Sequence, residues 1–213
     1  MKLYSFWRSS CSWRLRIALR VKGVPFEVLP VHLVRGGGEQ HRATHRRRNP
    51  MAQVPVLEDH WMGEALILSQ SVAIMEYLEE RYPSPAILPD DLAQRARARQ
   101  VAEIINSGVQ PLQNSSTLRA IEALGHDKQQ WARRWIQQGM DNLETLSVSF
   151  PQTRFVASDS PSIADFCLIP QLYNARRFGC TPEFWPRLLE VEARCLALAA
   201  FRDAHPDRQP DAQ

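Results

Sequence analysis

The chain has 213 residues, 44% of them hydrophobic, with a net charge of +3 and four cysteines, enough for one large or two small domains with ample core. No apolar run approaches the roughly 20 residues that cross a bilayer, which excludes a membrane-spanning protein. Cys11, Cys167, Cys180 and Cys195 have neither paired zinc-ligand spacing nor the density of a secreted scaffold, and so small a net charge argues against a nucleic-acid partner.

An apolar leader with a cleavage site is absent from the N-terminus, so a soluble, cytoplasmic protein with reduced thiols is expected. The only lysines are Lys2, Lys22 and Lys128. Arginine abundance is therefore weak support for anion binding, and each arginine needs a positional argument. The Arg46, Arg47, Arg48 run reads as a solvated face.

Leu3, Tyr4 and Phe6 predict a short strand, ended by Arg8 and two serines. Trp13, Leu15, Ile17, Ala18 and Leu19, interrupted by Arg14, Arg16 and Arg20, predict a helix with one buried face. The junction between them, FWRSSCSWRLRIALR, organises the chain. Ser9 or Ser10 stands where the helix begins. A serine there can cap the helix, or it can belong to an anion and thiolate site built on unpaired N–H groups.

Gly23 stands as a C-terminal cap, and PFEVLPVHL predicts a second strand, parallel to the first because a helix connects them. A loose helix is expected between Gly36 and Asn49. His41 and His45 have the i, i+4 spacing of metal ligands, but without a third candidate nearby no metal site is expected. Val54, Pro55, Val56 and Leu57, then residues 65–68, predict an antiparallel hairpin, with Pro55 at a strand start. Residues 70–81 predict a helix that stops before Pro83. YPSPAILPDD reads as a linker. Beyond it the signals are helical: residues 92–107, with a kink or break near Pro111; 128–150, with Trp131, Trp135, Ile136, Met140, Leu143 and Leu146 at core spacing; a helix opened by a capping box from Ser162 to Asp165; and a further one over 184–201, followed by a polar, proline-bearing tail.

A small α/β domain joined to an all-helical one resembles the soluble glutathione transferases. RSSCSWRLRIAL is similar to the signature of the zeta class, whose best known activity is maleylacetoacetate isomerase. NPMAQVPVL, QSVAIMEYLEERYP, QPLQN, SIADFCLIPQLYNARRF and HPDRQP resemble zeta-class segments in the same order. The turn EDHWMGEA looks longer than is usual in the family, and Ser115 is more polar than expected there.

The resemblance implies an α/β plus all-α fold: a thioredoxin-like glutathione-binding domain over 1–82, a linker over 83–91 and an all-helical glutathione-transferase C-terminal domain over 92–213. It implies glutathione as cofactor, with Ser9, Ser10 and Cys11 as the catalytic triplet. Ser9 would donate to the sulfur, while Cys11 would line the pocket or react. Val54 before Pro55 resembles the cis-proline loop that meets the cysteinyl unit. Gln70 and Ser71 resemble the pair that holds the γ-glutamyl end, and Gln40, Gln110 and Asn114 are further contacts. Arg8 and Arg177, with Arg176 as the neighbouring alternative, would grip a dicarboxylic or keto-acid substrate through bidentate guanidinium pairing.

The implied chemistry is reversible thiolate addition to a cis double bond, which becomes single, rotates and returns the thiol with the trans isomer. Maleylacetoacetate to fumarylacetoacetate is the expected reaction. Maleylpyruvate isomerisation and conjugation or dehalogenation of small halogenated acids are alternatives. A non-catalytic binding module would have lost Ser9, Pro55, Gln70 and Ser71, all present here. A homodimer is also implied by the family.

Overall fold

A computed structural model of the chain describes residues 1–212. Two units separate by internal packing: Met1–Ile87 together with the described residues from Ala199 onward, and Leu88–Leu198. Among the described residues no helix is long and apolar enough to cross a membrane.

The first unit is built on four strands, β1 (Lys2–Ser5), β2 (Glu27–Pro30), β3 (Val56–Trp61) and β4 (Glu64–Ser69), in the order β2-β1-β3-β4. β1 and β2 are parallel, while β1 with β3 and β3 with β4 are antiparallel. α1 (Ser10–Val21) makes the crossover between the parallel strands, α2 (Ala43–Arg48) follows β2, and α3 (Ser71–Arg81) packs against α1. This is the thioredoxin-like arrangement expected from the β-α-β-α-β-β-α order.

The hairpin differs from expectation. EDHWMGEA is not a long turn, because Glu58 to Trp61 and Glu64 onward pair as strands, and only Met62 and Gly63 turn the chain. Both have positive φ, 52° and 86°, as a two-residue type I′ hairpin requires. The polar sequence concealed an exposed strand.

α1 also departs from a simple amphipathic helix: Arg14 and Arg16 are both fully buried. Arg16 stays in the core because carbonyls surround its guanidinium, a contact set described below. The linker is likewise more structured than its prolines imply. Lys22 buries its ammonium against Glu79 (2.6 Å) and the carbonyls of Tyr82 (2.6 Å) and Pro85 (2.9 Å). Ile87 N–H donates to the same Glu79 Oε2 (3.0 Å), and Ile87 is buried. A paired, desolvated lysine thus holds the end of α1 to the chain beyond α3.

The second unit is helical: α4 (Leu92–Glu103), a π-helical stretch (Ile104–Val109), α5 (Gln110–Gln113), α6 (Ser115–Ala123), α7 (Lys128–Ser149), α8 (Ile163–Arg177) and α9 (Pro186–Leu196). The break expected near Pro111 is this π-helical stretch, after which Pro111 lies in the first turn of α5, where its missing N–H costs nothing. Ile136, Met140 and Leu143 of α7 are core residues, whereas Trp131 and Trp135 are half-buried at its edge.

Ser162 and Asp165 form the expected capping box. Asp165 accepts from Ser162 N–H (2.8 Å), Ser162 Oγ–H (3.2 Å) and Val156 N–H (3.0 Å). Burial pushes its carboxyl up to about 6 while these donors pull the other way.

The helix expected over 184–201 divides. α9 ends at Leu196, and α10 (Ala199–Asp203) packs on α1 of the first unit. Residues 199–212, expected with the all-helical domain, therefore belong by packing to the thioredoxin-like unit. Trp13 draws them there: its ring meets the His205 ring edge-on, centroids 5.1 Å apart.

Candidate active site

The sheet register gathers the candidates of the first unit at one end. Tyr4 and Val56 pair across β1 and β3, Val56 and Ser69 across β3 and β4, and Ser5 and Pro30 across β1 and β2. Chain leaving β1 toward Ser9, chain entering β3 through Pro55, chain leaving β4 into Gln70 and chain leaving β2 toward Gln40 consequently share one edge. Phe6, Trp7, Val31 and Val54 form a buried cluster there, with Leu33 packed against it.

Ser9 is the N-cap of α1, its Oγ accepting from Ser12 N–H at 3.2 Å. That bond uses a lone pair and leaves the hydroxyl proton free to donate. Capping and thiolate stabilisation are therefore compatible in one side chain. The preceding turn closes through Ser9 N–H to Phe6 O, 3.0 Å. Ser10 is buried in the first turn, and Cys11 is half-buried beside it and in no disulfide. Burial raises the thiols of Cys180, to about 11, and Cys195. Arg8 lies over the Trp7 ring, 5.1 Å from its centroid.

The Val54–Pro55 bond is cis, as the resemblance implied. Two side chains that the sequence reading did not assign hold this loop from behind: His45 Nε2 (2.9 Å) and Asn49 Nδ2 (3.0 Å) both donate to the carbonyl of Gln53. The i, i+4 histidine pair was the available signal. Its two members face different surroundings, His45 buried and His41 exposed, so the spacing serves the loop. Gln40 is buried, its Nε2 donating to Leu33 O (3.3 Å), and its Oε1 has no hydrogen-bond partner. Gly38 packs so closely on it that a Cβ there would stand 2.5 Å from the Gln40 amide.

Gln70 leads into α3 with φ +71°, a rare value for a residue with a side chain, and places no cap on the helix. The α3 N–H groups thus lack side-chain partners at the cap, and the buried Ser71 Oγ has none either. An uncapped helix start with an orphan hydroxyl fits a carboxylate.

The remaining candidates lie in the helical unit. Gln110 is buried at the start of α5, and Asn114 is the residue between α5 and α6. Ser115, the polar departure, is merely the exposed first residue of α6. Arg176 and Arg177 differ sharply. Arg176 makes a bidentate pair with Glu192, 2.6 and 2.5 Å, which occupies its fork. Arg177, exposed on α8, donates to Asn174 Oδ1 at 2.8 Å and lies over the Phe178 ring, 5.5 Å from its centroid. Among the described residues no cluster of metal-ligating side chains occurs.

Residues 1–80 match the glutathione S-transferase N-terminal domain family. The chain is 44% identical to a maleylacetoacetate isomerase of Pseudomonas aeruginosa, over 99% of this chain and 98% of that one. It superposes on a crystal structure of the maleylacetoacetate isomerase from Anaeromyxobacter dehalogenans with glutathione bound in the active site, with TM-score 0.90, 50% identity and coverage of 100% and 97%. It also superposes on the holo structure of a maleylpyruvate isomerase, a bacterial zeta-class glutathione S-transferase, with TM-score 0.93, 42% identity and full coverage of both chains. Similarity of this extent, on a site whose helix starts and cis-proline loop suit a peptide thiol, places the chain in the zeta-class glutathione transferase family, among the maleylacetoacetate and maleylpyruvate isomerases.

Proposed function

We propose that the protein is a glutathione-dependent cis–trans isomerase that converts maleylacetoacetate to fumarylacetoacetate. The observation that carries the reading is the pairing of a hydroxyl cap with a free proton at Ser9 and an open, uncapped start at α3 on the same edge of the sheet. A peptide bearing a thiol and a terminal α-carboxylate matches both. The near-complete alignment with maleylacetoacetate isomerases supports the choice of reaction.

Bound glutathione would supply a thiolate able to add reversibly to the cis double bond and leave again after rotation. The residues of the chain do the rest. Ser9 Oγ–H donates to the sulfur and lowers the cost of its ionised form. The Val54 backbone before the cis proline orients the cysteinyl unit, Gln70 and Ser71 hold the γ-glutamyl carboxylate, and Gln40, Gln110 and Asn114 are further contacts. Arg8 and Arg177 attract the substrate carboxylates, while Arg176 is committed to Glu192. Ionisation alone contributes little: a thiol of pKa ~8.5 gains roughly 30-fold, about 2 kcal/mol, on complete ionisation at pH 7. Alignment of the alkene and donors aimed at developing charge must supply most of the acceleration.

Maleylpyruvate is the second reading, favoured by the 0.93 TM-score to an isomerase of that substrate. Glutathione-dependent loss of the cis-enol absorbance, followed with both substrates side by side, tests the assignment. Faster turnover of maleylacetoacetate is expected, and turnover of neither would refute both readings. Family membership further supports a cytoplasmic homodimer, and the mass in solution, measured by sedimentation, would check the dimer.

A further inference from the structure

The turn that delivers Ser9 is held from outside by chain nearly two hundred positions away. Trp7 N–H donates to Asp211 Oδ2 at 3.0 Å across a separation of 204 residues. Arg16 reaches the other polar groups of the same turn: Nη2 to Trp7 O (2.8 Å), Nη1 to Phe6 O (3.5 Å) and to Ser5 Oγ (3.1 Å), while Nε donates to Ala204 O (3.1 Å). Ala212 packs against the cluster of Phe6, Trp7, Val31 and Val54. The 199–212 segment thus touches the turn before Ser9 and packs against the cluster to which Val54, the residue before the cis proline, belongs.

Neither half of this arrangement is explained by stability of the segment alone. Ala204 O and the Trp13 contact with His205 already anchor the segment to α1. Asp211 lies beyond that anchor and only half-buried, yet its carboxylate is spent on a backbone N–H of the turn. The Phe6–Trp7 peptide is gripped at both ends, its N–H by Asp211 and its carbonyl by Arg16 Nη1 and Ser9 N–H, and the next peptide is held through Trp7 O by Arg16 Nη2. Rotation of either peptide breaks these bonds, so the backbone that carries Ser9 two residues on is fixed.

We propose that Asp211 is a positioning residue for Ser9, acting as the hydrogen-bond acceptor that locks the Trp7 peptide, with Arg16 as its counterpart on the carbonyl side. The inference rests on the isomerase reading above, because Ser9 matters only if a thiol is activated there. Loss of the lock lets the turn open, and a hydroxyl that samples several directions stabilises a thiolate less than one held in place.

The test compares the full chain with Asp211→Ala and Asp211→Asn, Asn keeping an acceptor oxygen. Hydrogen exchange at the Trp7 amide, measured without glutathione, should accelerate about tenfold or more in Asp211→Ala, as expected for a lost charge-assisted bond, and return toward wild type in Asp211→Asn. With glutathione bound, the ultraviolet absorbance of the thiolate should titrate at higher pH in Asp211→Ala, by about one pH unit. The shift should be largely rescued by Asn, with thermal midpoints unchanged within a few degrees. Wild-type exchange in Asp211→Ala, an accelerated amide with an unmoved thiol titration, or an Asn variant that behaves like Ala would each overturn the role. If the wild type itself binds glutathione without forming thiolate, the isomerase reading fails and this inference with it. A wild type that forms thiolate beside an indifferent Asp211→Ala sinks the inference alone.

Discussion

Two helices start at the same edge of the sheet, and they start differently. α1 is capped by Ser9, whose oxygen meets the backbone of Ser12. α3 is left uncapped behind a Gln70 in a strained conformation, with the Ser71 hydroxyl buried and unpartnered. A finished cap spends a lone pair and retains one directed proton, which suits a single sulfur. An unfinished start retains several donors and the positive end of the helix dipole, which suits a carboxylate. In the proposed function the same structural element would serve two ends of one ligand according to whether its cap is completed.

Substitutions at the two starts should separate these roles. The largest effect is expected at Ser9. Ser9→Ala should lower isomerase turnover by roughly 30-fold or more and cost about 1 kcal/mol of stability through the lost cap. Ser9→Asp preserves an acceptor for Ser12 N–H but offers no proton at neutral pH, so thermal unfolding should stay near wild type while turnover falls as far. Recovery of turnover in Ser9→Asp would show that capping was all Ser9 contributed.

Ser71→Ala comes next. Losing a donor to a carboxylate should raise the Michaelis constant for glutathione about tenfold with turnover at saturation nearly kept. Stability should hold or rise slightly, since the hydroxyl has no protein partner to lose; a drop in stability instead would mean that Ser71 is an ordinary part of the helix start.

In the helical unit, Arg177→Ala should raise the Michaelis constant for dicarboxylate substrates by about tenfold and leave that for a neutral alkyl halide unchanged. Arg176→Ala should do neither, but should cost about 1 kcal/mol through the stranded Glu192 carboxylate. Equal kinetic effects of both variants would remove the distinction drawn from their partners.

The smallest effect is at Gln70. Gln70→Gly relieves the positive φ and should stabilise the protein by up to about 1 kcal/mol, while weakening glutathione binding by a few-fold; calorimetry and titration read both. A destabilised variant would show that the side chain supports the turn.

Much of the site was legible because its signals are local. Serines between a strand pattern and a helix pattern mark a helix start, an X-Pro at a strand start marks a loop, and Ser162 with Asp165 spells a capping box within four residues. Less legible were contacts whose partners come from elsewhere. His45 carried only an i, i+4 spacing with His41 from which no metal site was expected, and nothing local announced its bond to Gln53 O. Arg176 and Arg177 were interchangeable as adjacent arginines, and only Glu192, supplied by α9, tells them apart. The hairpin was legible but its turn looked too long, because residues 58–61 and Glu64 at its tip are mostly polar, without the alternation that a half-buried strand shows.

The sequence by itself determined the order of elements in the first unit, the helical remainder and a serine at the start of α1, because each follows from conformational preferences of neighbouring residues; the cis form of the Val54–Pro55 bond was expected only from the family resemblance. Tertiary structure alone decided that α3 is left uncapped, that Arg16 is buried rather than solvated, and that residues 199–212 return to the first unit to meet Trp7. An arginine in the core is tolerable only where carbonyls converge on it, and no local pattern announces acceptors that arrive from 188 residues away.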